Sequence, residues 1–122
     1  MRILLSIKPE FAEQIFDGTK RFEFRRSIFA RDDVDVVVVY ASAPIGKVIG
    51  EFKIGRILSD RPTLLWKRTT PYAGISKKRF FEYFSGKSIG YAIEIDNYEL
   101  YDRPLPLYES FGCTPPQSFA YV

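Results

Sequence analysis

The chain has 122 residues, 46% of them hydrophobic and 27% charged, with a formal net charge of +3. That length suits one domain, residues 1–122, around a single core, and the composition is globular, with no disordered or repetitive tract. With no histidine and one cysteine, Cys113, an internal disulfide, the usual zinc sites and every histidine-dependent triad or dyad are excluded.

No EF-hand-like spacing of carboxylates occurs either, so neither a metal nor a cofactor is expected. The charge is unevenly spread. Residues 1–90 hold 17 of the 18 Lys/Arg and 10 of the 15 Asp/Glu, a balance of +7, whereas residues 91–122 balance at −4. A basic surface suited to an anionic partner such as nucleic acid is one reading; an ordinary solvated surface with an acidic last strand is the other. The opening residues Met1–Ile7 are too few for a signal-peptide core and far too few to span a bilayer. A cytoplasmic protein without a membrane partner is expected.

Taken in chain order, Arg2–Lys8 reads as a first strand stopped by Pro9. Pro9 suits the first turn of a helix, with Glu10 near its positive end. Phe11, Ile15 and Phe16 form an apolar stripe through Pro9–Asp17, and Gly18 is a natural helix terminator. Lys20–Arg26 alternates, with Phe22 and Phe24 on one face and Arg21, Glu23 and Arg25 on the other. Val34–Ala41 is rich in β-branched residues and reads as a central strand. Lys47–Leu58 is a long strand whose Gly50 and Gly55 mark bulges or bends.

Arg61–Thr70 reads as a helical turn and loop. Ser76 caps a helix running to Phe84, with Phe80, Phe81 and Phe84 on its buried side and Gly86 ending it. Ser88–Asp96 alternates Ile89, Tyr91, Ile93 and Ile95 as another strand, and Tyr98–Tyr101 extends the sheet. Four prolines from Pro104 onward predict an extended tail, 103–122, that wraps the domain. The fold class expected is α+β: a small mixed or antiparallel barrel-like sheet with two short helices.

The second strand carries the unusual residues. Alternating charges on a strand are common on plain surfaces, where each pair is worth a fraction of a kcal/mol. Here, however, Gly18-x-Lys20-x-x-Glu23-x-Arg25 sets a helix end directly before a cation, a carboxylate and a guanidinium. Glu23 and Arg25, two apart on a strand, share a face, so Arg25 can be held for bidentate contact with a phosphate or base edge.

This spacing, with Lys8-Pro9 before a short helix, resembles the signature of the ASCH domain, a branch of the PUA-like superfamily. Tyr40-Ala41-Ser42-Ala43-Pro44, Val48-Ile49-Gly50-Glu51-Phe52 and Tyr83-Phe84-Ser85-Gly86 before Tyr91-Ala92-Ile93 fit the same pattern. The resemblance covers residues 3–105. It implies a small β-barrel with a cleft beside the helix, lined by Lys20, Glu23 and Arg25, with Lys8 and Ser42 at its rim. It also implies RNA binding in regulation of transcription or translation; ribonuclease activity and action on modified nucleosides have been proposed in the family.

Three function classes stay open. The first is a module that binds RNA or a nucleotide through Lys20, Glu23 and Arg25. Trp66, Lys77 and Lys78 join that list because a ring among cations suits base stacking and phosphate contact. The second is a histidine-independent hydrolase or ribonuclease, with Lys20 as base and Glu23 or Glu82 as its carboxylate. In the nucleoside-hydrolysing members that this chain resembles, a threonine stands where Glu23 stands here, so their nucleophile is missing. The third is a protein-interaction module, for which the proline-rich tail is the only sign. The ligand and the oligomeric state are not written in the sequence.

Overall fold

The computed structural model describes all 122 residues. Its elements are β1 (Arg2–Ile7), α1 (Pro9–Phe16), β2 (Phe22–Arg25), β3 (Val36–Ala41), β4 (Lys47–Asp60), α2 (Pro62–Thr69), α3 (Lys77–Tyr83), β5 (Gly90–Leu105), α4 (Leu107–Phe111) and β6 (Ala120–Tyr121). The strands form one sheet in the order β2-β5-β4-β3-β1-β6. Only β1 and β3 pair in parallel, because α1 and β2 lie between them in sequence and return the chain to the same end. The other pairs are antiparallel.

The uninterrupted apolar run of β3 follows from burial on both faces. Val37, Val39 and Ala41 pack with Ile3, Leu5 and Ile7 of β1, with Ala12 and Ile15 of α1, and with Phe52. Val38 and Tyr40 point the other way, to Leu4, Val48 and Leu107. A third cluster joins Phe22 and Phe24 of β2 to Leu58, Leu65, Phe80, Phe84 and Ala92. Phe22, Phe24, Phe80 and Phe84, read as core from periodicity, are core, while Phe81 packs against that cluster only partly buried.

The sheet is a curled half-barrel, and the fold is of the α+β class. The curl is visible in contacts between its two ends. Strands β2 and β6 stand at opposite edges, yet Arg25 of β2 donates a 2.6 Å hydrogen bond to the carbonyl of Ser118, just before β6. Phe29, after β2, packs edge-on against Phe119. Register shifts beside Gly50 and before Ile57 supply the bending that the glycines of β4 predicted. A Cβ at Gly50 would lie 2.5 Å from the Glu99 carbonyl oxygen and 2.6 Å from the Phe16 ring, so only glycine fits this close approach.

Three expectations need correction. Arg61–Thr70 is more than a helical turn and loop: Pro62 starts the eight-residue helix α2, which buries Leu65 and Thr69. The two late strand segments are one strand, β5, continuing through Asn97. The tail is not simply extended, and there are four helices rather than two. Pro106 sits at the N-cap of α4, where its missing N–H costs nothing, and Gly112 ends the helix at φ +68°. Leu107, with Phe111 and Cys113 beside it, covers the outer face of β1 and β3, so the tail is packed rather than displayed. No helix is long and apolar enough to cross a membrane.

Candidate functional site

The end of α1 aims Lys20 inward. Gly18 takes φ +85°, and Thr19 folds back on the Asp17 carboxylate through its N–H at 2.9 Å and its hydroxyl at 2.6 Å. The Lys20 N–H bonds the Gln14 carbonyl, and the next N–H, that of Arg21, bonds Tyr72 in the α2–α3 connection. The chain is thus gripped on both sides of Lys20. Gly74, at φ +67°, lies so close that a Cβ there would sit 2.7 Å from the lysine stem.

Lys20 is only 3% exposed. Its ammonium donates a 2.7 Å hydrogen bond to the Ala73 carbonyl and lies 5.1 Å from the centre of the Phe11 ring and 4.8 Å from that of Phe24. Burial pushes its pKa below the ordinary lysine value; the Glu23 carboxylate offsets part of that shift. Glu23 is itself 6% exposed. Its Oε2 accepts a 3.2 Å hydrogen bond from Nη1 of Arg25, whose Nη2 is the donor to Ser118.

These groups line one cleft of about 460 Å³. Ile7, Phe11, Phe24 and Ile75 give it apolar walls, and Ser6, Lys8, Arg79, Glu82 and Tyr83 complete the polar lining. Lys20, Glu23, Arg25, Lys8 and Glu82, five of the residues singled out in the sequence, are therefore brought together. Ser42 is not among the lining residues: it stays in the turn after β3, its N–H on the Ile7 carbonyl. Trp66 packs on Phe80 and Phe81 at ring distances of 5.0 and 6.3 Å, as part of the hydrophobic cluster under α2 and α3. Lys77 and Lys78 are exposed on the first turn of α3, away from the cleft lining.

Two expectations about charge also change. The face of β2 opposite its phenylalanines is not solvated, because α1, α3 and the α2–α3 connection wall it in. Arg25 is not an open fork for a ligand either, since both its terminal nitrogens already bond within the protein. Arg79 was missed. It crosses from α3 to Glu10 on α1 through bonds of 3.2 and 2.9 Å and lies 4.9 Å from the centre of the Phe11 ring. Tyr83 donates its hydroxyl to the Phe24 carbonyl at 3.2 Å. Helical spacing carries a signal for both, because Arg79, Glu82 and Tyr83 fall at i, i+3 and i+4 and share a face.

The curled six-stranded sheet with its short helices is that of an ASCH domain. The ASCH domain family model matches residues 5–104, and the chain belongs to that family. It is similar to the ASCH domain-containing ribonuclease of Zymomonas mobilis, with 29% identity over 98% of this chain and 82% of that protein. The crystal structure of ASCH from Zymomonas mobilis superposes with a TM-score of 0.91 at 30% identity, covering 99% of this chain and 87% of that one. The chain also matches a segment of ATP synthase subunit alpha of Ureaplasma parvum, with 30% identity over 98% of this chain but 15% of that protein. It spans less than half the length of the longer relatives of this kind.

Proposed function

We propose that this chain binds RNA, or a nucleotide within it, in the cleft of Lys20, Glu23 and Arg25. The observation that carries this reading is Lys20, a lysine removed from bulk water yet left at an open cleft with two of its three N–H groups unpartnered. Burying an ammonium is costly, so one kept there with spare donors is suited to a ligand that completes its bonds. Aromatic walls beside it favour stacked bases, and a relative named as a ribonuclease supports RNA as the polymer.

The test is a titration of labelled RNA at several salt concentrations. The unaltered protein should bind with an affinity that falls as salt rises, and replacing Lys20 and Arg25 together by alanine should weaken binding at least about tenfold. Equal affinity in a folded double variant contradicts the reading. Replacing Lys77 and Lys78 should matter much less.

A second reading, cleavage of the bound RNA, is favoured by one observation: the Lys20 ammonium is buried beside the Phe11 and Phe24 rings. That burial moves its pKa downward, the direction a general base needs, with Glu23 opposing part of the shift. In such a step the base takes the 2′-hydroxyl proton, the 2′ oxygen attacks phosphorus, and the P–O5′ bond breaks, the 5′ oxygen leaving as a hydroxyl with a proton taken from water. The titrated RNA, run on a denaturing gel, decides between the two: shortened strands ending in 2′,3′-cyclic phosphate support cleavage, and intact strands restrict the cleft to binding.

A further inference from the structure

Two side chains at the cleft have unused hydrogen-bonding capacity of opposite kinds. Lys20 gives one N–H to Ala73 and has two left. Glu23 uses only Oε2, and its Oε1 has no protein donor while retaining access to the cleft. Both residues are more than nine-tenths buried, so water reaches these spare valences only through the cleft, where a ligand would replace it. Arg25 is committed to Glu23 and Ser118, which leaves it as a positioning residue for the carboxylate.

A phosphate does not match this arrangement. Its oxygens only accept, so it would satisfy Lys20 but lie against the Glu23 carboxylate, and like charges in a poorly solvated cleft repel. The edge of a nucleobase does match, because every base carries an N–H group next to an accepting oxygen or ring nitrogen. Its flat faces suit the apolar walls made by Phe11, Phe24 and Ile75. The Lys8 side chain is exposed at the same cleft and makes no hydrogen bond or ion pair, so it is free for the backbone phosphate.

We infer that the cleft takes one unpaired nucleobase, with its Watson–Crick edge read by Lys20 and Glu23 and its phosphate left near Lys8. The ligand is then a single strand, or a base turned out of its helix, and a fully paired duplex is excluded because its Watson–Crick edges are occupied. This inference rests on the RNA-binding reading above and narrows it.

The experiment compares three RNAs by fluorescence anisotropy: a single strand, the same strand annealed to its complement, and a strand of equal phosphate number that lacks its bases. The duplex and the base-less strand should each bind about tenfold or more weakly than the single strand. Glu23→Gln should narrow the gap between the normal and base-less strands. A base-less strand or duplex that binds within twofold of the single strand overturns the inference and leaves RNA binding standing. A Glu23→Gln protein with an unchanged gap overturns the role of Glu23. Failure to bind any of the three overturns both readings. The three-RNA comparison uses the unaltered protein, so it holds even if the variant does not fold.

Discussion

Replacing Phe80 by alanine is expected to lower folding stability by about 3–5 kcal/mol. Phe80 is fully buried. Its ring centre lies 5.0 Å from those of Phe24, Trp66 and Phe81 and 4.9 Å from that of Phe84. Truncation removes the transfer energy of a whole ring, and four large neighbours hold the void open from different directions. The local consequence falls on the cleft. Phe24, which packs edge-on to Phe80, is also the ring beneath the Lys20 ammonium, so the lysine loses its support. Urea denaturation measures the effect. A loss below about 1 kcal/mol would mean that the cluster closes over the void and that the aromatic base of the cleft is not rigid.

Replacing Glu23 by alanine is expected to cost about 3 kcal/mol, at the low end of the range for removing one partner of a buried ion pair. The side chains of Glu23 and Arg25 are 8% and 15% exposed, so solvent screens the pair little, though the open cleft lets water relieve part of the loss. Without the carboxylate, Arg25 and the buried Lys20 each lose the negative charge beside them. Glu23→Gln, which keeps an acceptor for Arg25, should cost clearly less. The same denaturation experiment separates them: equal losses would show that the carboxylate charge carries the whole effect and that a neutral acceptor of the same shape contributes nothing.

What was legible in the sequence was local. Strand β3 was plain because a run buried on both faces is apolar at every position, and α1 was plain because Pro9, Glu10 and Gly18 punctuate it. The trio Lys20, Glu23 and Arg25 was legible from its spacing after a helix end. Their burial was not, since it depends on partners far along the chain. The carbonyl that holds Lys20 is 53 residues away, and the one that holds Arg25 is 93 residues away. Alternation shows which face of β2 a residue takes, but not what lies over that face. Trp66 misled for the same reason: among lysines and arginines it looked displayed, while its packing surface is Phe80 on another helix. In the tail, the prolines were visible and their positions were not. A proline at the start of a helix is permissive, and whether Pro106 starts one depends on Leu107 finding the outer face of the sheet.

Mapping where RNA touches the protein tests the central claim most directly. Titrating isotopically labelled protein with a short single-stranded RNA and following its amide signals should shift residues 8–11, 20–25, 75 and 79–83, which line or flank the cleft. Shifts concentrated instead on Arg61, Lys67, Arg68, Lys77 and Lys78, with the amides of Lys20 and Glu23 unmoved, would contradict the account and place RNA on the exposed basic face of α2 and α3.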